Sequence, residues 1–197
     1  MSSNVRGRKT KAEILGSAWE LVSKMGADVS VSQIAADAGI SRQTIYLHFG
    51  SRGGLLVELV RWADRHYEIK ENFAAALLLS DPQERLTTTL KVWLEFVPKI
   101  FPVAKDLVRL RETDAEAAVA WDDRMSDLGD WLLDLMRSLQ RDNALKEHWT
   151  PEQAAHFFWA QTSVQVWGLL TEDCDWREDQ VTDKMTRTVV SALLSAD

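Results

Sequence analysis

The chain has 197 residues, 46% hydrophobic and 27% charged, with a formal net charge of −7: an ordinary globular composition with ample apolar material for a core. Its single cysteine, Cys174, excludes an internal disulfide and a multi-cysteine zinc site, and it fits a reducing cytoplasm, the expected location. The sequence has no uninterrupted apolar run of about 18 residues, and its polar, basic start is followed by no apolar stretch, so neither a membrane span nor a secretory leader is expected.

The charge is unevenly spread. Residues 1–54 hold seven Lys/Arg against four acids, net +3, whereas the remainder is net −10. This is the pattern of a head attractive to a polyanion on an acidic body, and it suggests domains at 1–54 and 55–197. The basic cluster Arg6-Gly7-Arg8-Lys9 either reaches into a DNA minor groove or adds only charge.

Helix-start patterns recur along the chain, each a short polar cap with Glu or Gln three residues later. They are Thr10…Glu13, Ser30…Gln33, Asp81…Glu84 with Pro82, Thr113…Glu116, Thr150…Gln153 with Pro151, and Asp175…Glu178. No stretch sustains period-two alternation, so the fold class is all-α without a sheet. A first helix over 10–25 presents Ile14, Leu15, Ala18, Trp19 and Val22 on one side. Pro98 and Pro102 predict a helix ending near Val97 and a short one over 103–110. Segment 114–142 carries one seam of Ala118, Trp121, Met125, Leu128, Leu132, Leu135 and Leu139, spaced three and four apart. Segments 151–171 and 177–195 complete the series.

The stretch 30–55 carries the chemistry. Ala35 and Gly39, four apart, supply the small residue and the turn that a helix-turn-helix needs. Ile34, Ala38, Ile40 and Ile45 would seal the pair onto the first helix. Ser41 would cap the second helix and aim its first N–H groups at phosphate. On that helix Arg42 and Gln43 are able to make bidentate contacts with guanine and adenine edges, and Leu47 is able to touch a thymine methyl. Thr44, Tyr46, His48 and Arg52 suit phosphate oxygens; Ser30 and Ser32 complete the expected DNA-contact set.

Ile34-Ala35-x-x-Ala38-Gly39-Ile40-Ser41, Thr44-Ile45-Tyr46-x-His48-Phe49 and Ser51-Arg52-x-x-Leu55-Leu56, with the upstream Ile14-Leu15-x-x-Ala18-x-x-Leu21-Val22, resemble the tetracycline-repressor-like (TetR) family of bacterial transcriptional regulators over about residues 8–60. The resemblance implies an all-helical homodimer of about nine helices per subunit that binds a pseudo-palindromic double-stranded DNA operator and is released by a small ligand held in the larger domain. It carries DNA contact over to Arg42, Gln43, Thr44, Tyr46 and His48; no catalysis, cofactor or metal is expected, because no phosphate-binding glycine motif occurs and Cys174 has no evident activating partner. Arg52 stands where the family more often has lysine. Gly53-Gly54 departs from the family's preference for helix formers and suggests a loose joint between head and body, since each glycine costs about 1 kcal/mol relative to alanine.

Nine tryptophans exceed the needs of a core. Their placement predicts a pocket among the helices over 55–79, 83–97, 100–110 and 114–142 for a hydrophobic or aromatic effector, lined by Trp62, Trp93, Phe96, Phe101, Trp121, Met125, Trp131 and Trp159. Asp122, Asp123 or Glu95, if turned inward, would add a preference for a cation. The last two helices are apolar on two sides and predict a homodimer interface at Phe157, Val164, Trp167, Val181, Met185 and Val189. A di-metal enzyme is disfavoured because no His has a Glu three residues before it. The alternative is a regulator whose body binds a protein partner: a ring-lined cavity favours an effector, a filled core favours the partner.

Overall fold

Residues 11–25 and 29–195 are described by the computed structural model, with the side chains of Glu116 and Ala120 excepted; the basic cluster at 6–9 lies outside the described residues. Helices run in the order α1 (Lys11–Met25), α2 (Val31–Asp37), α3 (Arg42–Phe49), α4 (Arg52–His66), α5 (Ile69–Leu77), α6 (Pro82–Leu110), α7 (Ala115–Arg141), α8 (Pro151–Gln161), α9 (Val164–Gly168), a π-helical turn (Leu169–Asp173) and α10 (Glu178–Leu193). The fold is all-α, as expected: among the described residues the sole β feature is an isolated bridge between Leu145 and Leu194. No helix of the described residues is long and apolar enough to cross a membrane.

The caps largely follow the sequence pattern. Ser30 accepts from the Gln33 N–H while the Gln33 side chain accepts from the Ser30 N–H, and Thr150 and Gln153 repeat the exchange. Asp81 accepts from the Gln83 N–H with Pro82 in the first turn. Two caps shift. At α7 the cap is Asp114, whose Oδ1 accepts from Ala117 N–H at 3.0 Å, one residue beyond the expected Thr113. At α10 Gln180 accepts from Arg177 N–H, and Asp175 instead turns the chain at φ 54°.

Helix α6 is the axle, packing against α1, α4, α5, α7, α9 and α10. It runs unbroken through Pro98 and Pro102, where a break was expected. An interior proline costs about 3 kcal/mol, but Phe96, Val97, Ile100, Val103, Ala104 and Leu107 are all buried around the two rings, and that burial outweighs the cost. The break falls instead inside 151–171. Thr162 turns its hydroxyl back on the Phe158 carbonyl, and Ser163 caps α9. The Thr162 carbonyl thus freed accepts from the buried Trp93 indole at 2.9 Å.

The glycine pair opening α4 corrects another expectation. A Cβ on Gly54 would lie 2.1 Å from the Phe49 carbonyl oxygen, and one on Gly53 would lie 2.5 Å from the Ala117 Cβ and 2.8 Å from Asp114 Oδ2. The glycines are there because α4 presses against the end of α3 and the first turn of α7. The joint is tight. Gly54→Ala is expected to destabilise the protein by about 2–3 kcal/mol, whereas Gly16→Ala, with no neighbour within 4 Å of its Cβ, should stabilise it by about 0.5–1 kcal/mol. The urea midpoints of the two variants check this contrast.

Candidate nucleic-acid interface and interior pocket

Helices α1 to α3 form the head. Ile14, Leu15, Ala18, Trp19 and Val22 of α1 meet Ile34 and Ala35 from α2 and Ile45 and Phe49 from α3 in one buried cluster, and Ala38, just after α2, is buried too. Gly39 makes the turn at φ 66°, where a side chain would be strained. Its neighbours close it with Gly39 N–H to the Ala36 carbonyl and Ile40 N–H to the Ala35 carbonyl. Ser41 accepts from Thr44 N–H at 3.0 Å and so starts α3.

Once Ile45 and Phe49 are committed inward, the 3.6-residue period turns Arg42, Gln43, Tyr46 and Leu47 to solvent. Leu47 is 74% exposed, a cost in water that a partner's apolar surface would offset. Ser32 and Ser41 are exposed beside them, while Ser30 is half-buried. Thr44 is half-buried with its hydroxyl on Ser41. His48 is half-buried too, and its Nε2 is shut away from solvent without a hydrogen-bond partner, so only the opposite edge of that ring is left for an outside group.

In the body, the expected pocket residues separate into three groups. Trp93, Trp121, Met125 and Trp159 converge with Val60, Ile100 and Arg124 on a narrow cavity of about 20 Å³, room for about one water. Met125 and Trp159 also line an open groove of about 420 Å³ between α7 and α8. Phe101 lines a separate groove with Lys105 and Gly168. Trp62, Phe96 and Trp131 are spent on packing: Trp62 stacks on His66 at 4.5 Å, Phe96 meets Trp93 at 6.1 Å, and Trp131 meets Phe73 edge-on at 5.6 Å. The inward-turned acids do not materialise. Glu95, Asp122 and Asp123 are all exposed, in ion pairs with Lys91, Arg111 and Arg61. The buried charge is of the other sign: Arg124, held through Nε and Nη2 by Asp64 at 2.6 and 2.9 Å. The sequence signal for it was available, since Arg124 stands on the same stripe as Trp121 and Leu128.

Residues 14–59 match the family model described as bacterial regulatory proteins, tetR family. The head of this chain matches the tetR family. No curated protein matches the sequence. Among solved structures, the chain is similar to a transcriptional regulator from Saccharomonospora viridis in complex with choline (18% identity, TM-score 0.74, 93% of this chain and 97% of that one). It is also similar to the regulator FadR from Bacillus subtilis in complex with stearoyl-CoA (17%, 0.71, 93% and 99%) and to AibR in complex with isovaleryl coenzyme A and operator DNA (19%, 0.62, 89% and 95%). At such identities the likeness is one of fold.

Two expectations for this chain need correction. Arg52 is not free for phosphate: its Nη1 donates to the Val29 carbonyl at 3.0 Å and its Nη2 to Asp106 of α6 at 2.7 Å, so it ties head to body. Of the residues expected at a dimer interface, Val164, Trp167, Val181, Met185 and Val189 are buried within the single chain, because α6 covers the inner sides of α9 and α10. Phe157 is half-buried against Trp149 at 5.1 Å.

A second tie crosses the joint. Glu58 of α4 accepts from Lys11 of α1 at 3.1 Å and from Arg61 at 3.3 Å. Burial pushes its carboxyl up, but the hydrogen bonds and charges of Lys11 and Arg61 outweigh it and hold the group below the ordinary 4.5. A depressed carboxylate stabilises the fold above its unfolded value and loses that contribution as pH falls through the folded one. Glu58→Gln should therefore destabilise the protein at pH 7 and narrow its gap from the unaltered protein below about pH 4, as thermal melts across that range would show.

Proposed function

We propose that this chain is a repressor that binds a pseudo-palindromic operator as a homodimer and leaves it when a small molecule enters the body. The observation that carries the reading is the exposed strip of Arg42, Gln43, Tyr46 and Leu47 on α3, a short helix offering edge-reading groups and an apolar tip to the major groove. Tyr46 and the Thr44 side of the helix suit phosphates, with Ser32 and Ser41 at the helix starts. The acidic body keeps non-specific attraction to DNA low while the head stays locally basic.

Two heads must meet successive major grooves, about 34 Å apart. The outward surface of α8 to α10 is the surface we assign to the homodimer; Leu169 and Trp176 leave apolar area in water there. An effector acts by favouring a head spacing that DNA cannot accept, which requires tighter binding to that state than to the DNA-bound one. The likeness of fold to regulators solved with choline or acyl-CoA ligands supports an effector. The narrowness of the inner cavity supports the second reading, in which the body engages a protein partner.

Gel shifts on operator fragments recovered by footprinting test the proposal. Binding should weaken with salt along a log–log line. Gln43→Ala should cost about 1–3 kcal/mol at the base it reads and relax preference there, while Tyr46→Phe should weaken all sequences alike. Sedimentation should give a dimer that Leu169→Glu with Trp176→Glu splits. Salt-independent binding, or a protein that is monomeric at micromolar concentration, would sink the proposal.

A further inference from the structure

Arg124 is buried to within 4% of full coverage, and two of its three guanidinium nitrogens are taken by Asp64. The third, Nη1, has no hydrogen-bond partner. Arg85, buried to a similar degree, shows the ordinary outcome: its Nε and Nη2 donate to the Leu79 carbonyl, and its Nη1 to Ser138 and Asp142. A buried donor left open costs the full price of its desolvation. Arg124 also lines the narrow cavity that Trp93, Trp121 and Trp159 surround, and its guanidinium lies 5.2 Å from the Trp131 ring.

Met125 and Trp159 line both this cavity and the open groove of about 420 Å³ between α7 and α8. They are the partition between the two spaces. Trp159 is 39% exposed and Met125 is half-buried and flexible, so this wall is the softest part of the enclosure. A groove of that size suits a small ligand body, with the buried donor behind the wall.

The geometry points to an uncharged, largely apolar molecule ending in a carbonyl, its body in the α7–α8 groove and its oxygen accepting from Arg124 Nη1 past the Met125–Trp159 wall. This deepens the effector reading above and rests on it. A carboxylate is excluded on two grounds. Asp64 already neutralises the guanidinium, so a ligand anion would bring an uncompensated charge into the interior. The groove is also lined by the exposed acids Asp122, Asp130 and Glu152, which repel an anion on approach. Two of these pair only loosely, with Arg111 at 3.6 Å and Arg137 at 3.8 Å, and such exposed pairs screen little of that repulsion. The other polar residues on the cavity, Ser163 and Gln165, are neutral.

Three probes of nearly equal shape separate the possibilities: benzylacetone, hydrocinnamate and butylbenzene, titrated into the full-length protein by calorimetry and tryptophan fluorescence. Benzylacetone should bind about tenfold or more tighter than either of the others. Arg124→Lys keeps a cation beside Asp64 but lacks the fork, so it should erase the preference for the ketone and leave butylbenzene unchanged. Met125→Trp, which does not touch the ion pair, should close the passage and abolish ketone binding, and it decides the matter if the lysine variant fails to fold. Hydrocinnamate binding as tightly as benzylacetone, a ketone preference that survives in a folded variant, or no ketone binding up to its solubility would each overturn the inference. The last result would mean that Nη1 is served by a water. Operator binding by the unliganded protein, measured in parallel, is unaffected by that failure and reports on the proposed function separately.

Discussion

Helix α4 is covered on several sides, and that covering organises the molecule. Leu55, Leu56, Val57, Leu59, Val60 and Ala63 are all buried, which a helix achieves only when neighbours lie on several sides. Those neighbours are α1 and α3 from the head and α6 and α7 from the body. The same fifteen residues therefore belong to both halves. A displacement of α4 against α7 cannot leave α3 where it was, because Gly54 already touches the carbonyl at its end.

The polar ties across this joint have a common form. Arg52 with Asp106, Glu58 with Lys11, Arg61 with Asp123 and Asp64 with Arg124 all start on α4 and end on another helix. They differ in burial and hence in weight. The Arg61–Asp123 pair is half open to water and is worth little, whereas Arg124 with Asp64 is nearly sealed, and removing one partner strands the other. Gly53 and Asp64 are eleven residue steps apart, about 16 Å of helix. One rigid rod thus has a tight steric contact at one end and a buried ion pair at the other.

What was legible in the sequence was what local chemistry decides. The helix-turn-helix, its caps and its exposed edge-reading groups follow from spacing and turn residues alone, and so do the helical class and the seam of α7. What was not legible needed three dimensions. Two prolines predict a break in α6, but they cannot announce the burial of the neighbouring Val97, Ile100, Val103 and Ala104 that holds the helix together. The two apolar sides of 151–171 looked like one side for the chain and one for a second subunit. The chain covers the inner side itself, with α6, and interrupts the helix at Thr162, where a distant tryptophan supplies the missing donor. Gly53 and Gly54 read locally as flexibility, yet what put them there is the crowding of two other helices. Arg52 illustrates the same limit: its type suits phosphate, and only Asp106, 54 positions away, shows that it is already engaged.

The absence of side chains at the head of α4 also bears on how such a chain could diversify. Any change there that adds bulk meets a carbonyl or the first turn of α7, so mutational drift at these two positions is closed in one direction. Variation in responsiveness has to arise across the contact, at Asp114 and Ala117, which have atoms to lose. Evolution of the coupling would then leave its marks on the second half of the chain, far along the sequence from the exposed strip of α3.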